Sequence, residues 1–421
     1  MIFDRDSWQE ITHTLGQNKL RSFLTAFGVF WGIFLLLIMV GAGRGLQNGA
    51  MDDFSGRATN SVYLWTRLTT IPYKGFPIRR RFYFDNDDTE ALRQNIPEIK
   101  YLGPRNQAGG HRGVTNVSRG LKNGAFNING DYPEYRQIQI LQITHGRFVN
   151  DLDMRGRRKV AVIGTHVRDV LFEPGETPIG KYILIQGVYF KVVGVFASNR
   201  EGDQAEEETQ TVFIPFTTFQ HTFHFGKRVS WYSITSQPDI PVSVVEEKAI
   251  ALLAERHQVS PDDRAAFGSY NAEKEYHKIV NLFKGINLLI WFVGTFTLVA
   301  GVIGVSNIML IVVKERTREI GIRRAIGATP FNILSQILAE SVLLTAVSGY
   351  TGLFAGVVTI ELVARALESA GAGIEYFRNP GIDLKVAIAA LSILVVCGVF
   401  AGLIPGKKAI SIKPVEAIRD D

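Results

Sequence analysis

Residues 285–313 read GINLLIWFVGTFTLVAGVIGVSNIMLIVV, and residues 314–329 continue with KERTREIGIRRAIGAT. The first run has 29 residues without a charge, whereas the next eleven positions hold five cations and two anions. A charge-free run of about 20 residues is long enough to cross the hydrocarbon core of a bilayer as a helix. The stretch therefore predicts a membrane helix that emerges directly into a charged segment.

Three further charge-free runs of similar length occur, at 22–43, 341–360 and 386–406. Buried core helices rarely extend this far without a charge, so we predict four membrane spans. A cleaved signal peptide is the alternative for the first run. Its apolar stretch is too long for one, about 20 polar residues precede it, and no clear cleavage site follows. We therefore interpret it as an uncleaved anchor.

The distribution of lysine and arginine predicts the orientation of the spans. Twelve of these cations fall in the short segments 1–21, 314–332 and 407–421, whereas the loop 361–385 has three cations and four acids. Cytoplasmic loops carry the excess of Lys and Arg. Both termini and the charged loop are thus expected in the cytoplasm, with residues 44–284 outside. The net charge of +6 is spread along the chain, which argues against a nucleic-acid partner.

The outer region has the signals of mixed α and β structure. Strand patterns occur in SVYLWTRL (61–68) and in YILIQGVYFKVVGVF (182–196), where Gln186 and Gly187 predict a hairpin turn. Helix signals occur at 87–104 and 159–172. We predict a large α+β extracytoplasmic domain, in which parts at about 58–130 and 226–270 enclose a β-rich insertion at about 131–225. The one cysteine, Cys397, lies in the fourth span, so this domain has no disulfide.

Two stretches within the outer region lead to further structural predictions. The acidic run NREGDQAEEET (199–209) lacks apolar anchors and predicts an exposed loop. Before the second span, Tyr276, Ile279 and Phe283 recur at steps of three and four, and the stripe continues into the span. This spacing is helical. We expect one helix to run from the outer domain through the membrane to the charged segment.

Motifs for catalysis, cofactors or metals are weak. GETPIGKY (175–182) imitates a phosphate-binding loop, but Tyr182 replaces the Ser or Thr that would hold magnesium, and a hairpin follows instead of a helix. His221 and His224 could be two ligands of a metal ion, but the sequence places no third ligand beside them. We therefore expect no catalytic, cofactor or metal residue in this chain.

The spans carry small-xxx-small spacings, which let helices approach closely. The pairs are Gly28 and Gly32, Gly352 and Gly356, and Gly398 and Gly402. Glu340, in LAESVLL at the start of the third span, is an acid at a depth where a charge is costly. A coupling or structural role for Glu340 and simple placement at the membrane surface are both open.

The charged stretch ERTREIGIRRAIGAT (315–329), followed by ILSQILAESVLL (333–344), resembles the most recognisable segment of one family. In the outer domain, NGDYPEYRQI, GRFVNDLDMRGRRKVAVIGTHVRDVLF and PIGKYILIQGVYFKVVGVF are similar to the same family, and so is the tail SIKPVEAIR (411–419). The family is that of the MacB-like ABC transporter permeases, also called type VII or the FtsX/LolE superfamily. The resemblance covers nearly the whole chain.

The resemblance implies a four-span subunit of the bacterial inner membrane that forms a homodimer or a heterodimer with a related permease. It implies an ABC ATPase partner, which we expect as a separate chain that holds the ATP and magnesium. Its motion would be relayed to a porter-like outer domain, a mechanism called mechanotransmission. Efflux with a periplasmic adaptor and an outer-membrane channel competes with LolC/E-like lipoprotein release and FtsX-like envelope signalling. A membrane-anchored receptor or hydrolase is the alternative of a different class.

The segment after the second span is the predicted site of contact with the ATPase. Glu319 and Arg323 stand four apart in the favourable acid-first order, which indicates a helix. Ile320, Ile322 and the following Ala325 and Ile326 are expected to form one apolar side against the membrane or neighbouring helices, with the charges exposed. The residues predicted to couple the ATPase are Glu315, Arg316, Arg318, Glu319, Ile320, Gly321, Arg323, Arg324 and Gly327.

The predicted organisation combines these assignments. The segments are a cytoplasmic amphipathic segment 1–21, span 22–43, outer domain 44–284, span 285–313, coupling segment 314–332, span 333–360, outer loop 361–385, span 386–406 and cytoplasmic tail 407–421. Membrane lipid surrounds the spans in this arrangement.

Overall fold

The structure is a computed structural model that describes residues 19–52, 54, 56–109, 113–200, 202–369 and 377–412. The predicted N-terminal segment up to residue 18, the tail from residue 413, and residues 370–376 of the predicted outer loop lie outside the described residues. The chain divides into two compact units. We call Met1–Ala50 with Asn281–Asp421 the helical unit, and Met51–Val280 the sheet unit.

The elements are numbered in chain order. The helices are α1 Lys19–Asp52, α2 Asn86–Asn95, α3 Tyr135–Ile138, α4 Asp151–Arg155, α5 Thr165–Leu171, α6 Asp203–Thr209, α7 Phe216–Thr222, α8 Val242–Arg256, α9 Ala272–Glu315, α10 Thr317–Ala325, α11 Pro330–Ser369 and α12 Leu384–Ile410. The strands are β1 Ser61–Thr66, β2 Phe84–Asp85, β3 Ile99–Gln107, β4 Thr115–Arg119, β5 Lys122–Asp131, β6 Gln142–Gly146, β7 Val160–Gly164, β8 Tyr182–Ile185, β9 Val188–Ala197, β10 Thr211–Pro215, β11 Arg228–Val229, β12 Trp231–Ser236 and β13 Phe267–Asn271.

The four helices α1, α9, α11 and α12 are long and apolar enough to cross a membrane. This finding, with the α+β unit between the first and second of them, confirms the predicted fold class. Helix α9 has 44 residues and begins at Ala272, as the stripe before the second span predicted. At 1.5 Å per residue it is about 66 Å long, roughly twice the thickness of the hydrocarbon core. The predicted segment limits stay predictions.

Six strands of the sheet unit pair in a closed ring in the order β5, β10, β7, β9, β8 and β4. The ring closes because β10 pairs β7 on one side and runs parallel to β5 on the other. Closure leaves the side chains that point inward with no route to water, and they form one apolar cluster. Phe126, Ile163 and Phe190 belong to this cluster.

The same sheet continues beyond the ring in the order β5, β3, β12, β1 and β13, and we call this part the second sheet. Helices α2 and α8 contact each other and contribute to a second apolar cluster beside it. The capping box that starts α2 holds Asp85 and Asp88, each of which accepts a hydrogen bond of 2.9 Å from the backbone of the other. This local device and the alternating strand patterns explain why these elements could be predicted.

A buried ion pair joins the ring to the second sheet. Arg105 on β3 lies directly opposite Asp131 on β5, and its Nε donates to Oδ1 of Asp131 over 2.7 Å. The Asp131 side chain is fully buried, and the guanidinium lies 3.7 Å from the centre of the Tyr135 ring. Since burial disfavours an unpaired carboxylate, the pair ties the two sheets at this position. Burial also raises the pKa of Asp131.

Most of the strands and helices predicted for the outer region are present in the structure. The strand and helix signals at 61–68, 87–104, 159–172 and 182–196 are confirmed, including the turn at Gln186 and Gly187, which both have positive φ. The prediction that 199–209 is a loop is wrong for Asp203–Thr209, which forms α6. The acid-rich sequence has no apolar pattern from which to predict this short helix, in which Thr209 is buried.

The division into an enclosing part and an insertion stays a prediction. Strands β4 and β5, which it placed in the enclosing part, give Val117 and Phe126 to the cluster inside the ring. The segment 175–182 runs into strand β8, as the hairpin signal indicated.

Candidate coupling site

The segment after α9 forms the short helix α10, which is separated from α9 by Arg316 alone. The helix ends in a Schellman motif. The N–H of Gly327 donates to the carbonyl of Arg324 over 3.2 Å, and the N–H of Ala328 donates to that of Arg323 over 3.0 Å. Gly327 has φ +109°, a conformation that side chains disfavour. Pro330 then begins α11, at a position where its missing N–H costs little.

A network of ion pairs connects Arg316, which joins α9 to α10, with α10 and α11. The Arg316 guanidinium donates to both carboxylate oxygens of Glu319, over 2.9 Å and 3.1 Å. Its remaining edge donates to Oε1 of Glu340 over 3.1 Å. We call Arg316, Glu319, Arg323 and Glu340 the charged cluster. It fixes the residue between α9 and α10 to the first turns of α11.

Arg323 extends the cluster along α10. Its Nη2 donates to Oε1 of Glu319 over 2.8 Å, in the acid-first spacing that the sequence predicted. Its Nη1 donates to the side-chain oxygen of Gln336 on α11 over 3.0 Å. One cation therefore stabilises α10 internally and also binds it to the neighbouring helix.

Burial strengthens this arrangement. The Arg316 side chain is 18% exposed and that of Glu340 is 8% exposed. Burial alone would lower the pKa of Arg316, but the hydrogen bonds to Glu319 and the charge of Glu340 raise it above its ordinary value. Each charge is satisfied by the others, and removing one partner would leave an uncompensated charge. For Glu340, the structure shows a paired position rather than an exposed surface position.

Arg324 connects α10 to the end of α12. Its Nη1 donates to the carbonyl oxygens of Ile410, over 2.7 Å, and Ile412, over 2.6 Å. Terminal carbonyls of a helix have no intrahelical partner and carry the negative end of the helix dipole. The guanidinium therefore serves as a C-terminal cap for α12, a role that sequence spacing could not indicate.

The isoleucines of α10 do not share one side, because Ile320 lies on the inward face and Ile322 and Ile326 lie on the outward face. Contact of the outward face with the membrane stays a prediction. Ile320 and Gly321 are buried, whereas Ile322 is 43% and Ile326 is 82% exposed. The cause is the charged cluster, because the face that holds Glu319 and Arg323 turns towards α11. We call the outward residues the exposed face, and they are Arg318, Ile322, Ala325, Ile326 and, after the turn, Phe331.

Glu315 and Arg318 are exposed at the start of this segment. Of the predicted coupling residues, the structure thus brings Arg316, Glu319 and Arg323 together and leaves Arg318 on the exposed face. Sequence reasoning missed Gln336 and Phe331. Nothing in the sequence pattern singles out Gln336, a neutral residue four positions after Asn332 on α11. Phe331 is a single aromatic residue beside a proline.

The glycine pairs differ in what they contact. A Cβ on Gly352 would lie 2.6 Å from the backbone oxygen of Phe30 on α1, and one on Gly356 would lie 3.1 Å from Leu37. Gly398 and Gly402 face α11, where a Cβ would meet Thr345 at 2.3 Å and Ser341 at 2.9 Å. These four glycines therefore lie where a Cβ would closely approach another helix of the same chain.

The first pair behaves differently. A Cβ on Gly32 would meet Leu298 of α9 at 3.5 Å, an ordinary contact, and one on Gly28 would meet nothing within 4 Å. Gly28 therefore makes no close approach to the described residues of this chain. The assignment of the six glycines to a packing function stays a prediction.

Comparison with known families identifies the class of protein. The sequence model of the MacB-like periplasmic core domain matches residues 22–256, and that of the FtsX-like permease C-terminal region matches residues 291–414. The chain belongs to the MacB-like permeases. The charged cluster lies within the second matched region of this MacB-like permease, and the ring of strands lies within the first.

Individual relatives show the same coverage. The pyoverdine export ATP-binding/permease protein of Pseudomonas entomophila is 28% identical over 96% of the chain. The macrolide export ATP-binding/permease protein MacB of Bdellovibrio bacteriovorus is 29% identical over 96% of the chain. The chain covers 58% of the first relative and 60% of the second. It therefore spans about 60% of the length of the curated relatives it matches.

Two solved structures are similar to part of the MacB-like permease. The periplasmic region of MacB from Actinobacillus actinomycetemcomitans matches 55% of the chain and 98% of its own length, with 18% identity and a TM-score of 0.43. The extracellular domain of the transporter YknZ from Gram-positive bacteria matches 50% of the chain and all of its own length, with 17% identity and a TM-score of 0.41.

Proposed function

We propose that the chain is the permease of an ABC transporter in a bacterial inner membrane and that α10 receives the motion of an ABC ATPase. The observation that carries the proposal is the charged cluster. It binds α10, and Arg316 that joins α10 to α9, to α11, so that a displacement of α10 is passed to α11 and through Arg316 to the end of α9. Helix α9 is a single helix of 44 residues, and we expect it to carry the displacement along its length.

The exposed face of α10 is the proposed surface for the ATPase. Ile322 and Ile326 lie one turn apart and are both exposed, with Arg318 a further turn before them. An apolar centre beside an arginine is typical of the residues that dominate protein interfaces. The side chains of the charged cluster bind one another and α11, on the face of α10 that points away from this surface. This placement replaces the expectation that Arg323 and Arg324 meet the partner directly.

The direction of transport follows from the relatives by analogy. Their printed names assign them to the export of pyoverdine and of macrolides. We propose efflux of a small molecule, in which the sheet unit lies in the periplasm and responds to ATP-driven motion. The permease acts as a dimer, and an adaptor and an outer-membrane channel complete the path. ATP and magnesium bind in the ATPase, outside residues 1–421.

Co-purification of the ATPase tests the proposed surface. Ile322→Asp and Ile326→Asp place a charge at the centre of the exposed face and are expected to release the ATPase. Leu152→Asp, a matched change at a 60% exposed leucine of α4, is expected to retain it. Acidic residues contribute little to topology, so insertion is expected to stay normal.

Impermeant maleimide labelling of single cysteines in a Cys397→Ser background checks the orientation in parallel. Cysteines at Ser118 and Ser269 are expected to react in spheroplasts, and a cysteine at Ser411 is not. Full retention of the ATPase by both isoleucine variants would contradict the proposed surface. The inverse labelling pattern would contradict the orientation.

A further inference from the structure

The loop between β1 and β2, residues 67–83, exposes an unusual number of large apolar side chains. Ile78 is 54% exposed, and Leu68 and Phe76 are exposed by more than a third of their surface. Ile71, Tyr83 and two prolines extend the patch. Single exposed apolar residues are common on protein surfaces, but a contiguous patch indicates an interaction site. We call residues 67–83 the basic loop, because its charges, described below, are all positive.

The basic loop is rigid. Lys74 and Gly75 have φ +46° and +85°, which is the pattern of a type I′ hairpin turn. The backbones of Tyr73 and Phe76 on either side exchange two hydrogen bonds, of 3.2 Å and 2.9 Å. Its apolar residues are therefore presented in a fixed arrangement, so binding a partner requires little ordering.

A buried carboxylate anchors the base of the loop. Asp263 accepts hydrogen bonds from the N–H of Thr70 over 2.6 Å, the N–H of Ile71 over 3.0 Å and the hydroxyl of Thr70 over 2.7 Å. On the other side, Arg80 donates to the carbonyl of Gln258 over 2.9 Å and lies 4.0 Å from the centre of the Phe76 ring. These contacts hold the loop to the body of the sheet unit and leave its tip uncovered by the described residues.

The charges around the patch have one sign. Arg67, Lys74, Arg79 and Arg81 are exposed, and the sequence 67–83 contains neither aspartate nor glutamate. Complementary potentials give specificity and speed to association. The surface therefore fits a partner that presents carboxylates around an apolar anchor.

The position of the loop indicates what kind of partner reaches it. Strand β1 begins beside Asn271, immediately before α9, and ends with Thr66 beside Phe267. The basic loop leaves from Thr66, at the other end of β1 from Asn271, and its exposed side chains are open to a soluble protein. A second copy of this chain fits poorly, because its acidic helix α6, DQAEEET, has no large apolar residue.

We propose that the basic loop is a docking site for a soluble protein that carries an acidic surface with an apolar anchor. This inference goes beyond the proposed function, which assigns no surface of the sheet unit to a partner. Ile78 supplies the exposed apolar centre, and Lys74 and Arg81 supply the flanking charges.

Photo-crosslinking in living cells followed by reconstitution tests the proposal. The photoreactive amino acid p-benzoylphenylalanine is placed at Ile78 of the full chain and, as a matched control, at Leu121, a fully exposed residue in the turn between β4 and β5. The protein crosslinked at Ile78 is identified and purified, and its affinity for the full chain in detergent is measured. Ile78→Asp, and separately Lys74→Asp with Arg81→Glu, are expected to weaken binding at least tenfold, whereas Leu121→Asp leaves it unchanged.

The outcomes separate the alternatives. A soluble protein that crosslinks at Ile78 and not at Leu121, and whose binding weakens with both variants and with rising salt, supports the proposal. Absence of a crosslink at Ile78, a crosslink only to a second copy of this chain, or binding unaffected by both variants would overturn it. Crosslinking of phosphatidylglycerol, in place of a protein, to the photoreactive residue at Ile78 would assign the loop to a membrane surface. This result would also overturn the proposal.

Discussion

Arg316, the residue between α9 and α10, donates a hydrogen bond of 3.1 Å to Glu340 on α11 with the one edge of its guanidinium that Glu319 leaves open. A planar fork with five donors can bridge two carboxylates in this way, which a lysine ammonium cannot do with the same geometry. Glu340 directly precedes the charge-free run 341–360 of α11, and the pair explains how the helical unit tolerates this charge. The same contact locks the joint between two helices.

The Arg316–Glu340 pair is expected to stabilise the helical unit. Glu340→Ala removes the carboxylate that accepts the hydrogen bond from Nη1 of Arg316. Losing a buried charged partner costs about 1–3 kcal/mol. Glu340→Gln retains an acceptor and is expected to cost less. The measurement is the midpoint of thermal unfolding of the detergent-solubilised chain, and a larger loss for Gln than for Ala would contradict the assignment.

A double variant distinguishes the pair from general effects of burial. Arg316→Met with Glu340→Met removes both charges, and its loss of stability is expected to be smaller than the sum of the two single losses. Glu361→Gln serves as the control, because Glu361 pairs with Arg365 on an exposed part of α11 and is expected to change little.

Gly327 is expected to be required for the end of α10. At φ +109° any side chain is strained, and Gly327→Ala is expected to cost about 1–2 kcal/mol locally. Loss of the motif should loosen the turn between α10 and α11 and increase its cleavage in limited proteolysis. Gly285→Ala, in a helix where a Cβ meets nothing within 4 Å, is the matched control and should not increase cleavage. Equal cleavage of both variants would contradict the role of the turn.

The sequence was informative where the signal is local. The charge-free runs predicted α1, α9, α11 and α12, and the acid-first pair Glu319 and Arg323 predicted α10. The pairing of Arg316 with Glu340 depends on how α11 lies beside α10, which a helical pattern does not specify. For the same reason the sequence could not indicate that Ile320 faces inward and that Ile322 and Ile326 face outward, since polar contacts determine which face of α10 packs against α11.

In the sheet unit, the same limit applies to the ring. The hairpin of β8 and β9 follows from a two-residue turn, and sequence predicts it well. Closure of the ring needs β10 to lie parallel to β5, where Thr211 pairs Asn127. These residues are far apart in the chain, so neither periodicity nor turn signals could predict the pairing.

Gly352 is expected to matter for packing within one chain. Its Cβ position lies 2.6 Å from a backbone oxygen of α1, which cannot move without shifting the helix. Gly352→Ala is therefore expected to lower the unfolding midpoint, whereas Gly28→Ala, at an exposed helical position with open space, should leave it unchanged or raise it. The two midpoints are measured at a concentration series. An equal effect of both substitutions, or a loss for Gly352→Ala that appears only at concentrations where the chain dimerises, would contradict this.

The stability of the sheet unit is expected to decline in acid through Asp88. Burial opposes ionisation of this carboxyl, but hydrogen bonds from His257 and Arg256 hold its pKa below the ordinary value. A lowered pKa means that ionised Asp88 stabilises the fold above pH of about 4, and that this contribution disappears as the pH falls further. The difference in unfolding midpoint between wild type and Asp88→Asn should therefore shrink below pH of about 4.

The neighbouring Asp87 provides the control for this pH dependence. It is exposed and pairs with Lys227 over 3.2 Å at the surface. Asp87→Asn should leave the midpoint close to that of the wild type at every pH. A difference for Asp88→Asn that stays constant from pH 6 to pH 3 would contradict the stabilising role of the ionised carboxylate.

The central claim is that α10 moves with α11 as one body and passes ATP-driven motion to α9. Arg323 and Gln336, which are hydrogen bonded across α10 and α11 over 3.0 Å, provide the positions for its most direct test. In a Cys397→Ser background, cysteines at both positions are joined by a reducible thiol crosslinker, and ATP-driven export is compared before and after reduction of the same sample. The crosslinked permease is expected to retain nearly all the export activity of the reduced one. Loss of activity on crosslinking, with recovery on reduction, would show that α10 must separate from α11 and would contradict it.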